Sequence, residues 1–580
     1  MSHYLSGILK IITIEAFMAL LVVDRLTGDK WEREKRLGFT ALVTVMVFGW
    51  TNWGTGRNGT SIGWILAAIA VVWLCNWMVR AALGSETTER AKRFAMTMGN
   101  LGKTFKLPAV ATASILAGVI AVGYCWLGVR NESIAWVHQH EQFHFYIGAK
   151  YQKEVGWFDL YTATIMADRE TVNVMGGVQK TRDNRTFEEI PVEQALAEAP
   201  RIRARFTDER WESFKADWVA MAKAWPWMNW QGVMNDHGNS NSPAWSIIAS
   251  PIASLVPLTP QNQSLLGCID LLLTLALFII VYETFGFRLA SVALFMWACV
   301  PVVFDYLAGS FLRWDWLFAL GLAVVFLKKE KWGTAGALFG FAVATKLFPL
   351  FFGVALLVRV GFQWLESKKI EKSWIAFGRN AAIAGAACVA ISTAMFGTSA
   401  WTEYAQRIQV AQTEKFYSNQ HSLKTVFLQL VGPGEGGISS GIFPPVIKQS
   451  LPDVDIKDYG LGFLLARLAF TAVVIVLLRR ASYVEAFTLG PLLVLTWLTV
   501  NMYYWNMLSL LALGLASRAG KHFFLMLLTI FASYITYYTY QHLNRGFAEG
   551  YLLAFIFIVL TIVIAAFELR DARRPAAPVT

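Results

Sequence analysis

Long apolar runs, each closed by a short polar break, set the pattern of this chain. They fall at roughly 4–23, 37–53, 61–82, 107–129, 264–285, 288–305, 313–328, 333–347, 349–361, 378–396, 458–478, 484–501, 503–517, 523–541 and 550–568. A straight helical crossing of a bilayer takes about 20 apolar residues. The long runs therefore predict membrane helices. The short ones, above all the pair that meets at Lys346-Leu347-Phe348-Pro349, predict broken helices whose freed backbone is covered by protein. No small-residue cleavage site follows the first run, so it reads as a span and not as a signal peptide. The expected fold is an all-α polytopic membrane protein with about 15 membrane helices, some short or broken. Two large polar segments, 130–263 and 397–457, interrupt them. Within the first, Val192–Trp225 is rich in Glu, Arg, Ala and Trp and reads as a soluble amphipathic stretch.

Composition agrees: 56% of residues are hydrophobic and 16% charged, against about 25% charged in soluble domains, and mean hydropathy is +0.45. This excludes a disordered, fibrous or conventional cytosolic chain. The net charge of +11 raises nucleic acid as a partner, but the map of charges answers it. With the N-terminus outside and the C-terminus cytoplasmic, 27 Lys and Arg fall on cytoplasmic ends and loops, and only Arg57, Arg313 and Arg545 on short outer loops. That asymmetry is a topology signal. It places both large polar segments on the extracytoplasmic side, where chemistry is expected, and removes the need for nucleic acid. Five cysteines sit in apolar runs without a CxxC pair, which argues against a disulfide framework or a cysteine zinc site. No internal repeat is visible, which weakens a repeat-built transporter.

Four constellations carry candidate chemistry. His138-Gln-His-Glu141-Gln-Phe-His144-Phe-Tyr146 follows the span 107–129, and Glu141 is placed to take a proton from a hydroxyl. The same letters spell His140-Glu141-x-x-His144, a zinc-peptidase pattern. Its third ligand is missing at any convincing spacing; Glu170 and His237 are weak candidates. Asn235-Asp236-His237-Gly-Asn-Ser-Asn-Ser242-Pro243 leads into an apolar stretch that Pro243 and Pro251 are expected to break. Trp225, Trp227 and Trp230 just before it suit an interfacial belt or stacking on sugar faces. Gly333-x-x-Gly336-x-x-x-Gly340 ends at Thr345-Lys346, and an intramembrane lysine is a functional candidate by default, with a lipid-linked phosphate its natural partner. Lys415–Lys424 offers Asn419, His421 and Ser422 to a sugar or phosphate. Arg313 and Arg467 add cations on the same side. Asp305 is a membrane acid expected to face outside, and Asp270 one that pairs with a buried cation.

Together these residues resemble the GT-C superfamily of membrane glycosyltransferases, and within it glycosyltransferase family 87, the polyprenol-phosphate-mannose-dependent mannosyltransferases. The resemblance runs over about 107–520. It rests on Glu141 and Tyr146 after a span, Gly156-Trp-Phe-Asp-Leu-Tyr161, Ser242-Pro243 with Pro251, Thr345-Lys346-Leu-Phe-Pro349, and Asn419-Gln-His-Ser-Leu423. Two positions depart from the family: Glu141 stands where aspartate is common, and Gly309-Ser-Phe-Leu-Arg313 replaces a Gly-Gln-x-Asn-type turn. The resemblance divides the chain into accessory membrane helices (1–106), a catalytic membrane core (107–520) and C-terminal helices with a cytoplasmic tail (521–580).

It implies an inverting transfer of a sugar from a polyprenyl-phosphate donor to a glycolipid, polysaccharide or protein acceptor. In that scheme Glu141 is the base. Lys346, with Arg313, Arg467 or His421, meets the donor phosphate, and Tyr146, Asp236, His237, Asn419, Ser422 and Asp305 are sugar or acceptor contacts. No metal, cofactor or nucleotide is expected, so activity should survive chelation. The bacterial inner membrane is the expected location. The competing readings are a transporter or flippase of lipid-linked glycans and the zinc peptidase.

Overall fold

The computed structural model describes residues 137–226, 228–298, 309–413, 420–431, 437–438, 447–448, 459–517 and 548–572. The expected helices of 1–106, the span 107–129, the run 523–541 and the candidates Asp305 and Asn419 lie outside these residues. Among the described residues the chain is mostly helical, with three two-stranded pairings. Four helices among the described residues are long and apolar enough to cross a membrane: Pro260–Gly286, Leu350–Ser367, Lys372–Phe396 and Gly460–Arg479.

The small residues of 333–340 act as the sequence suggests. A side chain at Gly336 would strike the Phe377 carbonyl, and one at Gly340 the Ala381 carbonyl. Trp332–Thr345 thus lies directly on the backbone of Lys372–Phe396, the close approach that small residues permit. That helix ends at Thr345, and Leu350–Ser367 starts after four intervening residues, so the interruption at Lys346–Pro349 stands.

Two expectations change. The run 484–501 is not one span. It divides into Tyr483–Thr488 and Gly490–Trp497, with Pro491 in the first turn of the second helix, and it ends in a short strand, Val500–Asn501, antiparallel to Gln420–His421. Nor do the prolines break 243–255. Ser242 caps a single helix, Pro243–Leu255, by accepting the Trp245 N–H. Pro243 takes the first turn, where a missing donor costs nothing, and Pro251 sits inside the helix.

The stretch 137–263 builds most of a second core. Thr207 caps Asp208–Ala224 by accepting the Arg210 N–H, and Asp208 and Glu209 occupy the first turn, where the helix dipole favours acids. Trp211, Phe214, Trp218 and Met221 recur at helical spacing and are buried with Tyr161 and Phe143. Trp225 and Trp230 are buried in the same core. They are neither an interfacial belt nor an open sugar platform, because the helix before them folds its apolar face into the same cluster.

Candidate active site

Three pieces of chain meet around Glu141. The first is the helical segment that carries it. His138 Nδ1 accepts the Glu141 N–H at 3.1 Å and so caps Gln139–Gln142. Burial, and next the charge of Arg313, hold His138 well below its ordinary pKa, so the ring is neutral and able to accept. The helix then widens into a π turn, Phe143–Ile147, a feature that recurs at functional sites.

The second piece is the turn 309–314. Its Gly309 carbonyl accepts the His138 N–H at 3.0 Å and the Gln142 side chain at 3.4 Å. Leu312 is held in the left-handed region at φ 52°, a strained conformation for a residue with a side chain. Buried partners impose it: Trp245 Nε1 donates to the Leu312 carbonyl at 2.8 Å, and Asp270 accepts the Trp314 N–H at 3.1 Å. The turn delivers Arg313, whose Nη2 donates to Glu141 Oε1. Arg313 is 3% exposed and Glu141 12%. The second carboxylate oxygen is not engaged among the described residues.

The third piece is the loop 236–242. At its start, Asp236 Oδ2 lies 2.8 Å from His140 Nε2. Burial alone would lower the His140 pKa, but the bond to Asp236 and its charge win, and the ring is raised above its usual value. Burial would raise Asp236, yet its bonds to His140 and His237 hold it well below the carboxylate range. His144, one turn on, is driven down to about 3 by burial and then by the charge of His140. Its Nε2 meets the Tyr161 hydroxyl at 2.7 Å, and that hydroxyl also accepts the Gly238 N–H at 2.8 Å. At the end of the loop, Lys346 Nζ donates to Asn241 Oδ1 at 2.6 Å, and Ser242 Oγ donates to the Ala344 carbonyl at 2.6 Å. Lys346 is buried, with its ammonium 5.6 Å from the centre of the Tyr504 ring. One loop therefore touches the histidines that flank Glu141 at one end and Lys346 at the other.

Residues 240–501 match the model of glycosyltransferase family 87. This region is similar to that family. No curated protein and no solved structure matches the chain. Family 87 is a glycosyltransferase family of the GT-C type, and the apolar helices of this chain suggest a membrane protein. The family region holds Asn241, Arg313, Lys346, Ser422 and Arg467. Glu141, Tyr146, Asp236 and His237 precede it.

The other candidates are scattered. Asp236 and His237 are partly exposed within the loop. The Tyr146 hydroxyl is committed to the Val256 carbonyl at 2.6 Å, at the tryptophan-rich core. Arg467 donates to the Thr496 and Trp497 carbonyls and lies over the Phe463 ring; no contact joins it to Glu141 or Lys346 among the described residues. His421 pairs through its backbone with Val500, and Ser422 is buried. Asn241 was not singled out by the sequence. Its only signal is its place in the polar run before Pro243. It is 1% exposed, and its Nδ2 has no partner among the described residues.

Proposed function

We propose that the protein is an inverting glycosyltransferase that moves a sugar, mannose by the habit of the family, from a polyprenyl-phosphate donor to an acceptor hydroxyl. The reaction takes place on the extracytoplasmic face, which the distribution of Lys and Arg puts on the side of both large polar segments, and the bacterial inner membrane is the natural setting. The observation that carries the reading is the Lys346–Asn241 pair. A buried ammonium lies beside a buried amide nitrogen that has no acceptor among the described residues, and a phosphate oxygen supplies what both want. An unserved buried donor costs about 1–3 kcal/mol, which a bound anion would recover.

In this scheme Glu141 Oε1 is gripped by Arg313, and Oε2 takes the acceptor proton. The acceptor oxygen attacks the anomeric carbon from the face opposite the phosphate. The carbon–oxygen bond to the phosphate breaks, and its electron pair leaves on the lipid phosphate, where Lys346 meets the added charge. The zinc-peptidase reading has no support from the matched family, which is one of glycosyltransferases. The family region supports transfer over transport.

The test is turnover of purified protein against a panel of radiolabelled polyprenyl-phosphate sugars. Glu141→Gln should lower turnover at least about 10²-fold, the scale of lost acid–base catalysis. Near-normal turnover in a folded Gln variant sinks the assignment.

A further inference from the structure

His140, His144 and Asp236 present three donor atoms that all lie within 4.8 Å of one another. His140 Nε2 stands 2.8 Å from Asp236 Oδ2, and His144 Nδ1 stands 4.0 Å from the same oxygen. Zinc bonds nitrogen and oxygen at about 2.1 Å, which in tetrahedral geometry spreads its donors about 3.4 Å apart. The two separations bracket that value. We propose that these three residues bind one divalent transition-metal ion, with zinc the best chemical fit, and that the ion fastens the Glu141 segment to the 236–242 loop.

Four features point the same way. Two imidazoles and a carboxylate make a donor set suited to zinc and its neighbours and poorly suited to magnesium or calcium. The far nitrogen of His144 is held by Tyr161, itself fixed by the Gly238 N–H; such outer support orients a metal-binding ring. At 4.0 Å, His144 Nδ1 and Asp236 are too far apart for a hydrogen bond, so the two groups do not satisfy each other across the site. The site is closed on one side and open on the other: His144 is 2% exposed, His140 30% and Asp236 38%. That leaves a fourth position for water or a substrate oxygen.

All three ligands precede residue 240, where the family region begins. The third ligand comes from a loop about a hundred residues beyond the histidines, which is why no sequence spacing announced it. The inference stands apart from the transferase reading, and it reverses the expectation that no metal is needed. The rival arrangement is a metal-free network in which Asp236 accepts the His140 N–H and His144 turns its Nδ1 to the His140 carbonyl.

The experiment uses the full-length protein in detergent, stripped with EDTA, desalted and titrated with Zn(II) or Co(II). One equivalent per chain should survive gel filtration by elemental analysis, and Co(II) should give the intense visible absorption of a four- or five-coordinate site. Asp236→Asn, close in shape and partly exposed, and His140→Ala should each lose that equivalent. Tyr161→Phe should weaken affinity about 10–100-fold, and Glu141→Gln should keep it. No stoichiometric metal in the wild type overturns the site. So does retention in both ligand variants when their thermal unfolding matches the wild type. Sugar transfer, read on the same samples, separates the two ideas. A metal-binding protein inactive on every lipid-phosphate sugar sinks the transferase and leaves the site standing, whereas an active protein that binds no metal does the reverse.

Discussion

Lys346 and Arg313 are two buried cations with different partners, and the difference assigns them different work. Lys346 donates to a neutral amide and makes no salt bridge among the described residues, so although Asp315 lies within reach of its charge, its ammonium remains available to an anion. Lys346→Met should cut turnover by about 10²-fold or more, the scale of losing one donor to a developing anion. Lys346→Arg should keep part of it, because the charge persists while its geometry changes. Initial rates with a lipid-phosphate sugar decide, and unchanged rates with Met would reduce Lys346 to a packing residue. Arg313 is instead consumed by Glu141, which suits a positioning residue better than a phosphate ligand. Arg313→Met leaves a buried carboxylate unpaired and should cost about 3–5 kcal/mol of stability. Adding Glu141→Gln should restore part of that loss, and a double-mutant cycle on thermal unfolding measures it. Acids and a lysine amid apolar sequence were visible candidates because burying charge is expensive. Asn241 was not, since nothing in Asn239-Ser240-Asn241-Ser242 says which amide will face a lysine about a hundred residues away.

At the scale of elements, the site depends on how closely helices approach. Trp332–Thr345 carries Lys346 at its end, and Gly340 lets it lie against the Ala381 carbonyl. Gly340→Ala puts a methyl into that oxygen, between two backbones with no flexible side chain to yield. Overpacking of this kind costs about 1–3 kcal/mol. Thermal unfolding in detergent should show the loss, while Gly361→Ala, which meets open space in Leu350–Ser367, should be neutral or mildly stabilising through helix propensity. An equal effect at both positions would refute the packing argument. Apolar runs and small-residue spacing made these helices legible, because burial and close approach select for them locally. The division of 484–501 was not legible. Hydropathy is blind to the fact that Gly490 packs on the Phe352 backbone, or that Val500 pairs with His421; both partners are distant in sequence.

Over the whole molecule, the segment 137–263 is held together by charge as well as by its tryptophan core, and that makes it sensitive to acid. Asp159 is buried at 4% exposure and is bound by three arginines, Arg185, Arg201 and Arg205, from two separate stretches of chain. Burial would raise its pKa, but the hydrogen bonds and charges of Arg201 and Arg185 outweigh it and set the folded value below the ordinary 3.8. A carboxylate whose pKa is depressed on folding contributes stability above its unfolded pKa and loses it as pH falls toward the folded one. The contribution should therefore be complete at neutral pH and fade below about pH 4. Asp159→Asn removes it at every pH and leaves three arginines facing one another. The cost should lie near the low end of the about 3–5 kcal/mol typical of a broken buried pair, because the arginines keep 34%, 45% and 30% of their side-chain surface exposed and water screens them. Thermal unfolding from pH 7 down to pH 3 is the check. The wild type should lose more stability than Asp159→Asn below about pH 4, so the two curves converge. Parallel curves would mean that Asp159 contributes through packing alone, and the acid sensitivity of this segment would then belong to other carboxylates.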